Sequence, residues 1–536
     1  GRVHVSKATL TWLDEVRHAP PVTLNVADFD LTNTLRSHRL KLSATPPASL
    51  ARPLVVEATW TARKPDDVTS WSGRIETRVA GVSFLKLAPW LEVPYQPRQA
   101  TGALHVSLDF ERGALTQVNA GFNLRGVETV LAENLPALRL AQLLGQVTWK
   151  QGADGHHVDF EDLRIARTGS ALSAPFSVGV AWNDKAHEIT AKAFGLSGWE
   201  SVLPSLPMEA ALRTRLQALQ ARGRLDTLRF RWNGAEPGLD NFSVVTRFTG
   251  LGVAARDDQP GIENLSGQIK GDAQAGTFSI DTRQLAVNLP NLFRDPVLGL
   301  DALRAQGSWK KSARGRTLTL DTAAFSNSDA TGTAKGRYEL MGNQPGMVDL
   351  DVHLTHAEGT AVYRYLPKKI GDRTVNWLKD GIKAGYSDDV RLTLQGDVKK
   401  FPFEAGNGVF RLEAQVKDIV LNYVQGWPRI DGIQARVLFQ GKGMEVTSSQ
   451  ARIYGVALSP VKAVIPDLIH HEEQLYIEGM ANGPLPDFIR FSNSSPVGGI
   501  LRGFTDKLTG SGQTRLALKL HVPLRHSHDT TLAGRL

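Results

Sequence analysis

Apolar and polar residues alternate through most of this chain, and four times a short helical insert breaks the alternation before it resumes. The inserts are Phe84-Leu-Lys-Leu-Ala-Pro-Trp-Leu91, Trp199-Glu-Ser-Val-Leu-Pro204 running on to Leu219, Tyr363-Arg-Tyr-Leu-Pro367 running on to Ile382, and Phe488-Ile-Arg-Phe491 running on to Leu508. After each comes a run of period two: Leu104/Val106/Leu108/Phe110, Leu228/Phe230/Trp232, Val390/Leu392/Leu394 and Leu516/Leu518/Leu520. Period two sends successive side chains to opposite sides of a strand, so each run has one apolar and one polar face. One-sided strands belong to antiparallel sheets, because strands buried on both faces read as continuous apolar runs.

Other alternating runs include Val22/Leu24/Val26, Phe176/Val178/Val180/Trp182, Val348/Leu350/Val352/Leu354, Phe410/Leu412/Ala414/Val416 and Val437/Phe439. Turn residues punctuate them, as at Gly152-Ala-Asp-Gly155, Gly342-Asn343 and Gly441-Lys-Gly443. A supersecondary unit that recurs along a chain signals an array. The expected units are 1–98, 99–219, 220–384, 385–508 and a truncated 509–536, with inserts near 84–91, 199–219, 363–382 and 488–508. No Pro/Ser-rich linker interrupts them, so the expectation is one continuous array over 1–536.

With 536 residues the chain exceeds a single globular core, and a globular reading would require about three or four domains. Four short inserts cannot cover the apolar side of so many strands, and large exposed apolar patches mark a partner. The expected fold is therefore all-β and antiparallel with a few short helical inserts, its apolar side buried against a second sheet, closed into barrels or occupied by something apolar. Barrels and sandwiches rarely reuse one helical insert at each unit, which favours an open groove. The insert stripe Tyr363, Leu366, Ile370, Val375, Leu378 and Ile382 is expected to pack on the sheet's own apolar face. Trp149, Trp182, Trp232 and Trp309 each close a strand and read as strand-end anchors, with a membrane-interface belt as the alternative.

Composition narrows the function classes. The absence of cysteine removes disulfides, thiolate metal sites and cysteine nucleophiles, and suits an oxidising compartment. The net charge of +8 is dispersed over polar strand faces, and no aromatic-plus-basic signature points to nucleic acid. Even the densest basic run, Arg213 to Arg231, has the spacing of a solvated face. No nucleophile elbow, phosphate loop or His-Glu-x-x-His pair occurs. Asp154-Gly-His156-His157-Val-Asp159-Phe-Glu161 reads as a hairpin entering a strand, with Val158 and Phe160 on the apolar side. His470-His471-Glu472-Glu473 reads as a polar turn, while Asp14-Glu15 and Asp388-Asp389 are neighbours that diverge in extended chain. No enzyme, metal or cofactor is expected.

The most specific stretch runs from Phe401-Pro-Phe403 through Gly408-Val-Phe410-Arg-Leu412, Asn422-Tyr423, Gly426-Trp427-Pro428, Ile430-x-Gly432-Ile433 to Ala451-Arg-Ile453-Tyr-Gly455. With Tyr365-Leu-Pro367 and Trp377-Leu378 before it, and Ala8-Thr-Leu10-Thr-Trp12, His38-Arg39 and Pro46-Pro47 near the start, it resembles the YhdP branch of the AsmA-like envelope proteins of Gram-negative bacteria. The resemblance implies an elongated, twisted, open antiparallel β-groove in the periplasm that conducts phospholipids between inner and outer membranes. It also implies an inner-membrane anchor outside this chain, outer-membrane partners and no catalytic residues. The groove-lining candidates are the four opening runs together with Phe410 and Leu412. The competing expectation is a structural envelope spacer whose sheet interior is filled by its own side chains.

Overall fold

The computed structural model describes residues 1–535 except 16, 65, 91–95, 235, 236, 239, 257, 258, 313, 314, 342, 343 and 471. The expected insert end Leu91, turn Gly342-Asn343 and turn residue His471 lie outside the described residues. The chain is all-β, with short helices between long strands. It divides into two units, Gly1–Val253 with Gln268–Ala273, and Ala254–Gly267 with Gln274–Leu536.

Among the described residues of the first unit, thirteen strands run from Arg2–Trp12 to Phe242–Val253, each antiparallel to the next. Among the described residues no pairing joins the first of these strands to the last, so the sheet is open. In the second unit another thirteen run from Ala275–Asn288 to Thr531–Arg535 in the same consecutive manner. That meander is open too. Antiparallel neighbours need only tight turns, which is why glycine and polar residues suffice as connections.

The helical inserts interrupt this pattern at matching places. In each unit they follow the fifth and the eleventh of its strands. The first unit holds Phe84–Leu87 with Ala88–Trp90, and later Trp199–Ser201, Leu203–Ser205 and Ala210–Leu219. The second holds Gly359–Tyr365 with Asp372–Gly381, and later Leu485–Asn493 with Pro496–Ile500. Six strands separate the two inserts of a unit, and in an up-and-down meander an even count brings both to the same edge of the sheet.

The inserts are where burial concentrates. Phe84 packs against a cluster around Ala100, Val127 and Leu140 that includes Leu124, Leu143 and Ile165. Phe176 meets Phe194 and Trp199 edge-on, with ring centroids 5.4 and 6.0 Å away. In the second unit Val375 and Ile419 are buried, and Arg364 and Tyr365 both reach the carboxylate of Asp329, which pins the insert to a neighbouring strand turn. Trp377 donates to the Tyr423 carbonyl at 2.9 Å, and Tyr423, Trp427 and Phe491 form a run of rings.

Away from the inserts the sheets are uncovered. The chain exposes 32591 Å², whereas two compact globules sharing its 58.4 kDa equally would together expose roughly 23,000 Å². The excess belongs to sheet faces that no second layer seals.

Candidate functional site

Residues directly opposite in an antiparallel pair point to the same face, so the register can be followed from strand to strand. In the first unit one line runs Leu31, Leu40, Ala58, Ile75, Leu108, Val118, Trp149, Val158, Val180, Ile189, Phe230, Val244. Beside it runs Phe29, Leu42, Val56, Thr77, Val106, Ala120, Val147, Phe160, Val178, Ala191, Leu228. Neither line meets a charge. In the second unit Ile280, Ala305, Ala323, Ala334, Val352, Leu392, Leu412, Phe439, Met444 and Ile465 form such a line. Another runs Val390, Ala414, Val437, Val446, Ala463, Ile477, Leu520, Leu532.

The fifteen sequence candidates fall on these faces. Leu104, Val106, Leu108, Phe110, Leu228, Phe230 and Trp232 share the apolar face of the first unit. Val390, Leu392, Leu394, Phe410, Leu412, Leu516, Leu518 and Leu520 share that of the second. All fifteen are half-buried: sheet neighbours shield their flanks and leave their tops open. Glycine in the line makes room for large rings. A Cβ on Gly276 would lie 2.1 Å from the Trp309 indole, which therefore lies flat over that position.

The opposite face is ionic. Arg74 holds Asp109, His105 meets Glu76 at 2.6 Å, and Lys519 meets Glu478 at 2.8 Å. Of the acid pairs read from sequence, Asp388 engages Lys417, while Asp389 engages Arg391 and His353. His157 and Asp159 stand opposite Ala181 and Gly179, one residue out of phase with Val158 and Phe160. Among the described residues no three His, Asp or Glu side chains gather as a metal set. Among them, too, no helix is long and apolar enough to cross a membrane.

One tightly held ionic contact involves Glu413, whose carboxylate accepts from Arg436 and Arg411 and is held down at about 2, against its ordinary 4.5. A carboxylate with a depressed folded pKa adds stability above its unfolded value and loses it as pH falls through the folded one. Glu413→Gln is therefore expected to be less stable than the parent at pH 7, and the difference should vanish as pH falls from about 4.5 towards 2. Being a surface contact, it contributes on the order of 1 kcal/mol at most. Urea titrations of both proteins across that range measure it, and a pH-independent difference would rule the assignment out.

Sequence reasoning passed over a second feature of the apolar face. In the first unit, at the edge away from the inserts, aromatic rings stack from strand to strand: His38 on Trp60 (5.1 Å), Trp60 on Trp71 (5.7 Å), Trp149 on His156 (6.2 Å), His156 on Trp182 (5.2 Å) and His187 on Trp232 (5.1 Å). The only signal in the sequence was the recurrence of tryptophan at strand ends. Its histidine partners sit at the starts of adjacent strands, and only register brings the two together.

Comparison with known proteins completes the description. The YhdP protein family matches residues 1–536. The intermembrane phospholipid transporter YhdP of Escherichia coli (strain K12) is 22% identical over 459 residues, which cover 82% of this chain and 36% of that relative. The chain thus spans about a third of that protein's length. No solved structure matches.

Proposed function

Because the chain belongs to the YhdP family, we propose that it is one stretch of a periplasmic conduit that carries phospholipids between the inner and outer membranes. On this reading the full protein is anchored in the inner membrane by a segment outside this chain and engages the outer membrane or its proteins. The observation that carries the proposal is the set of uncharged, largely apolar lines that run from strand to strand, two side by side in the first unit and two overlapping ones in the second. A line of half-buried aliphatic side chains with no charge in it is a continuous surface for hydrocarbon.

The magnitudes suit transport along a surface. Burying hydrocarbon gains about 0.8 kcal/mol per CH₂, so the two tails of a phospholipid leaving water gain on the order of 20 kcal/mol. No single pocket needs to supply this. Successive strands lie about 4.8 Å apart, so a tail moving along the line exchanges one set of aliphatic contacts for a nearly equal set at each step. Small steps between equivalent sites keep the barriers low while the headgroup remains in water. The role calls for no catalytic residue, metal or cofactor.

Native mass spectrometry of the purified chain, with lipid extraction alongside, tests the proposal. We expect adducts of two-chain phospholipid mass, lost on delipidation and regained on incubation with phospholipid vesicles. A protein that stays lipid-free after that incubation would be a structural spacer, and the conduit reading would fall.

A further inference from the structure

We infer that in the first unit the phospholipid lies along the strands with its ester and phosphate region at the Trp–His edge and its chain ends towards the insert edge. The inference rests on the lipid reading above and adds a direction to it. The two edges of the apolar face differ in kind. At the insert edge the face is closed by hydrocarbon: Phe84, Leu124, Leu143 and Ile165 pack on buried Ala100, Val127 and Leu140, and Trp199 stacks on Phe194 and donates its indole N–H to the Gly195 carbonyl at 2.8 Å. Phe176 and Phe248, on strands that reach this edge, are buried.

The other edge is amphipathic. His38, Trp60, His156, Trp182, His187 and Trp232 each stand two residues beyond an apolar position of the line, on the same face. Their rings extend the apolar surface outwards and end it in polar ring nitrogens. Two indole N–H donors here, Trp71 Nε1 and Trp232 Nε1, are shielded from solvent and have no hydrogen-bond partner, and the ring nitrogens His38 Nε2 and His187 Nδ1 are shielded beside them. At the insert edge Trp90 Nε1 and Arg213 Nε are shielded in the same way, so the two edges differ in their stacked rings rather than in the number of such donors.

A shielded N–H without an acceptor is unfavourable, and rings that served purely as anchors gain nothing from it. The ester carbonyls and phosphate of a glycerophospholipid are dense in acceptors, and a small ring rotation brings the donors to them. Amphipathic aromatic rings also favour the boundary between hydrocarbon and water, the level at which the glycerol esters of a lipid lie. The seven-residue strand Phe176–Trp182 runs from one edge to the other and spans roughly 23 Å, long enough for an extended acyl chain.

The chain has no cysteine, so a single introduced one takes a fluorophore cleanly. Asp184→Cys and Ser170→Cys place labels at the two ends of that strand, both in exposed turns. Each labelled protein is loaded from vesicles of phosphatidylethanolamine containing a lipid with a nitroxide either on the headgroup or at the chain end. We expect the headgroup nitroxide to cause the larger fluorescence loss at position 184 and the chain-end nitroxide the larger loss at 170. Adding Trp182→Leu and Trp232→Leu together should shrink that asymmetry when each fluorescence loss is read per bound lipid, counted after extraction. The reverse order, equal losses at both positions, or an asymmetry that survives the tryptophan replacements would each overturn the assigned direction. No loss with either lipid at either label would instead mean that no lipid is bound, which is the failure of the underlying reading.

Discussion

Leu392→Arg is expected to strip the second unit of lipid while leaving its strands intact. Leu392 stands in the middle of an apolar line, opposite Val352 on one side and Leu412 on the other. Replacing it removes about 2 kcal/mol of apolar contact with a bound tail. It also forces a guanidinium against hydrocarbon, at a cost of several kcal/mol more. Since each 1.4 kcal/mol is tenfold in affinity, lipid occupancy should fall by roughly a hundredfold or more at this point of the line. The fold should survive because the side chain is half-buried and its outer surface is open, so arginine can turn its head to water when no lipid is present. Phe410→Asp and Leu518→Arg should behave alike. Phospholipid counted per protein after extraction, with far-ultraviolet circular dichroism alongside, gives the answer. Normal lipid content in all three variants would remove the face from the proposed path.

Phe176→Ala should do the opposite, lowering stability far more than it alters the lines themselves. Phe176 is buried, and it holds the second insert through edge-on contacts with Phe194 and Trp199. Truncating a buried phenylalanine costs about 3–5 kcal/mol when the site cannot collapse around the gap. Here the rings stand on a fixed strand and a short helical segment, so little relaxation is available. The expected result is a lower unfolding midpoint for the first unit and early proteolytic cleavage between residues 199 and 219. An unchanged midpoint would mean that the insert is held by something other than this ring cluster. The two experiments together separate residues that carry cargo from residues that carry the fold.

Much of this architecture was legible in the sequence, for a physical reason. Alternation is a local property, and runs such as Leu104/Val106/Leu108/Phe110 state their own inward face without reference to any other strand. Where alanine, threonine or glycine dilutes the alternation the signal fades. The strands Ser37–Thr45, Leu54–Ala62 and Trp71–Ser83 were thus harder to read, although Leu40, Ala58 and Ile75 stand in the same line as Leu108. The third insert begins at Gly359, earlier than the Tyr363 that its ring and proline pattern suggested, because Gly359-Thr-Ala-Val362 is compatible with either a strand end or a helical turn. Register shifts are invisible as well. Between Ile382 and Asp389 the strand slips three times against its neighbour, a count that only the partner reveals. The His–Trp stacks were hidden for the same reason, since each joins residues on different strands.

The placement of the inserts has a consequence for how such a chain can change its length. In each unit an even number of strands separates one insert from the next. Gaining or losing a single strand would reverse the direction of everything that follows, sending the next insert to the opposite margin and setting it among the ring stacks. Gaining or losing a hairpin would leave every later element facing as before. Relatives of this chain should therefore differ between inserts by whole hairpins, and a deletion engineered between two inserts should be tolerated when it removes two adjacent strands and fail when it removes one.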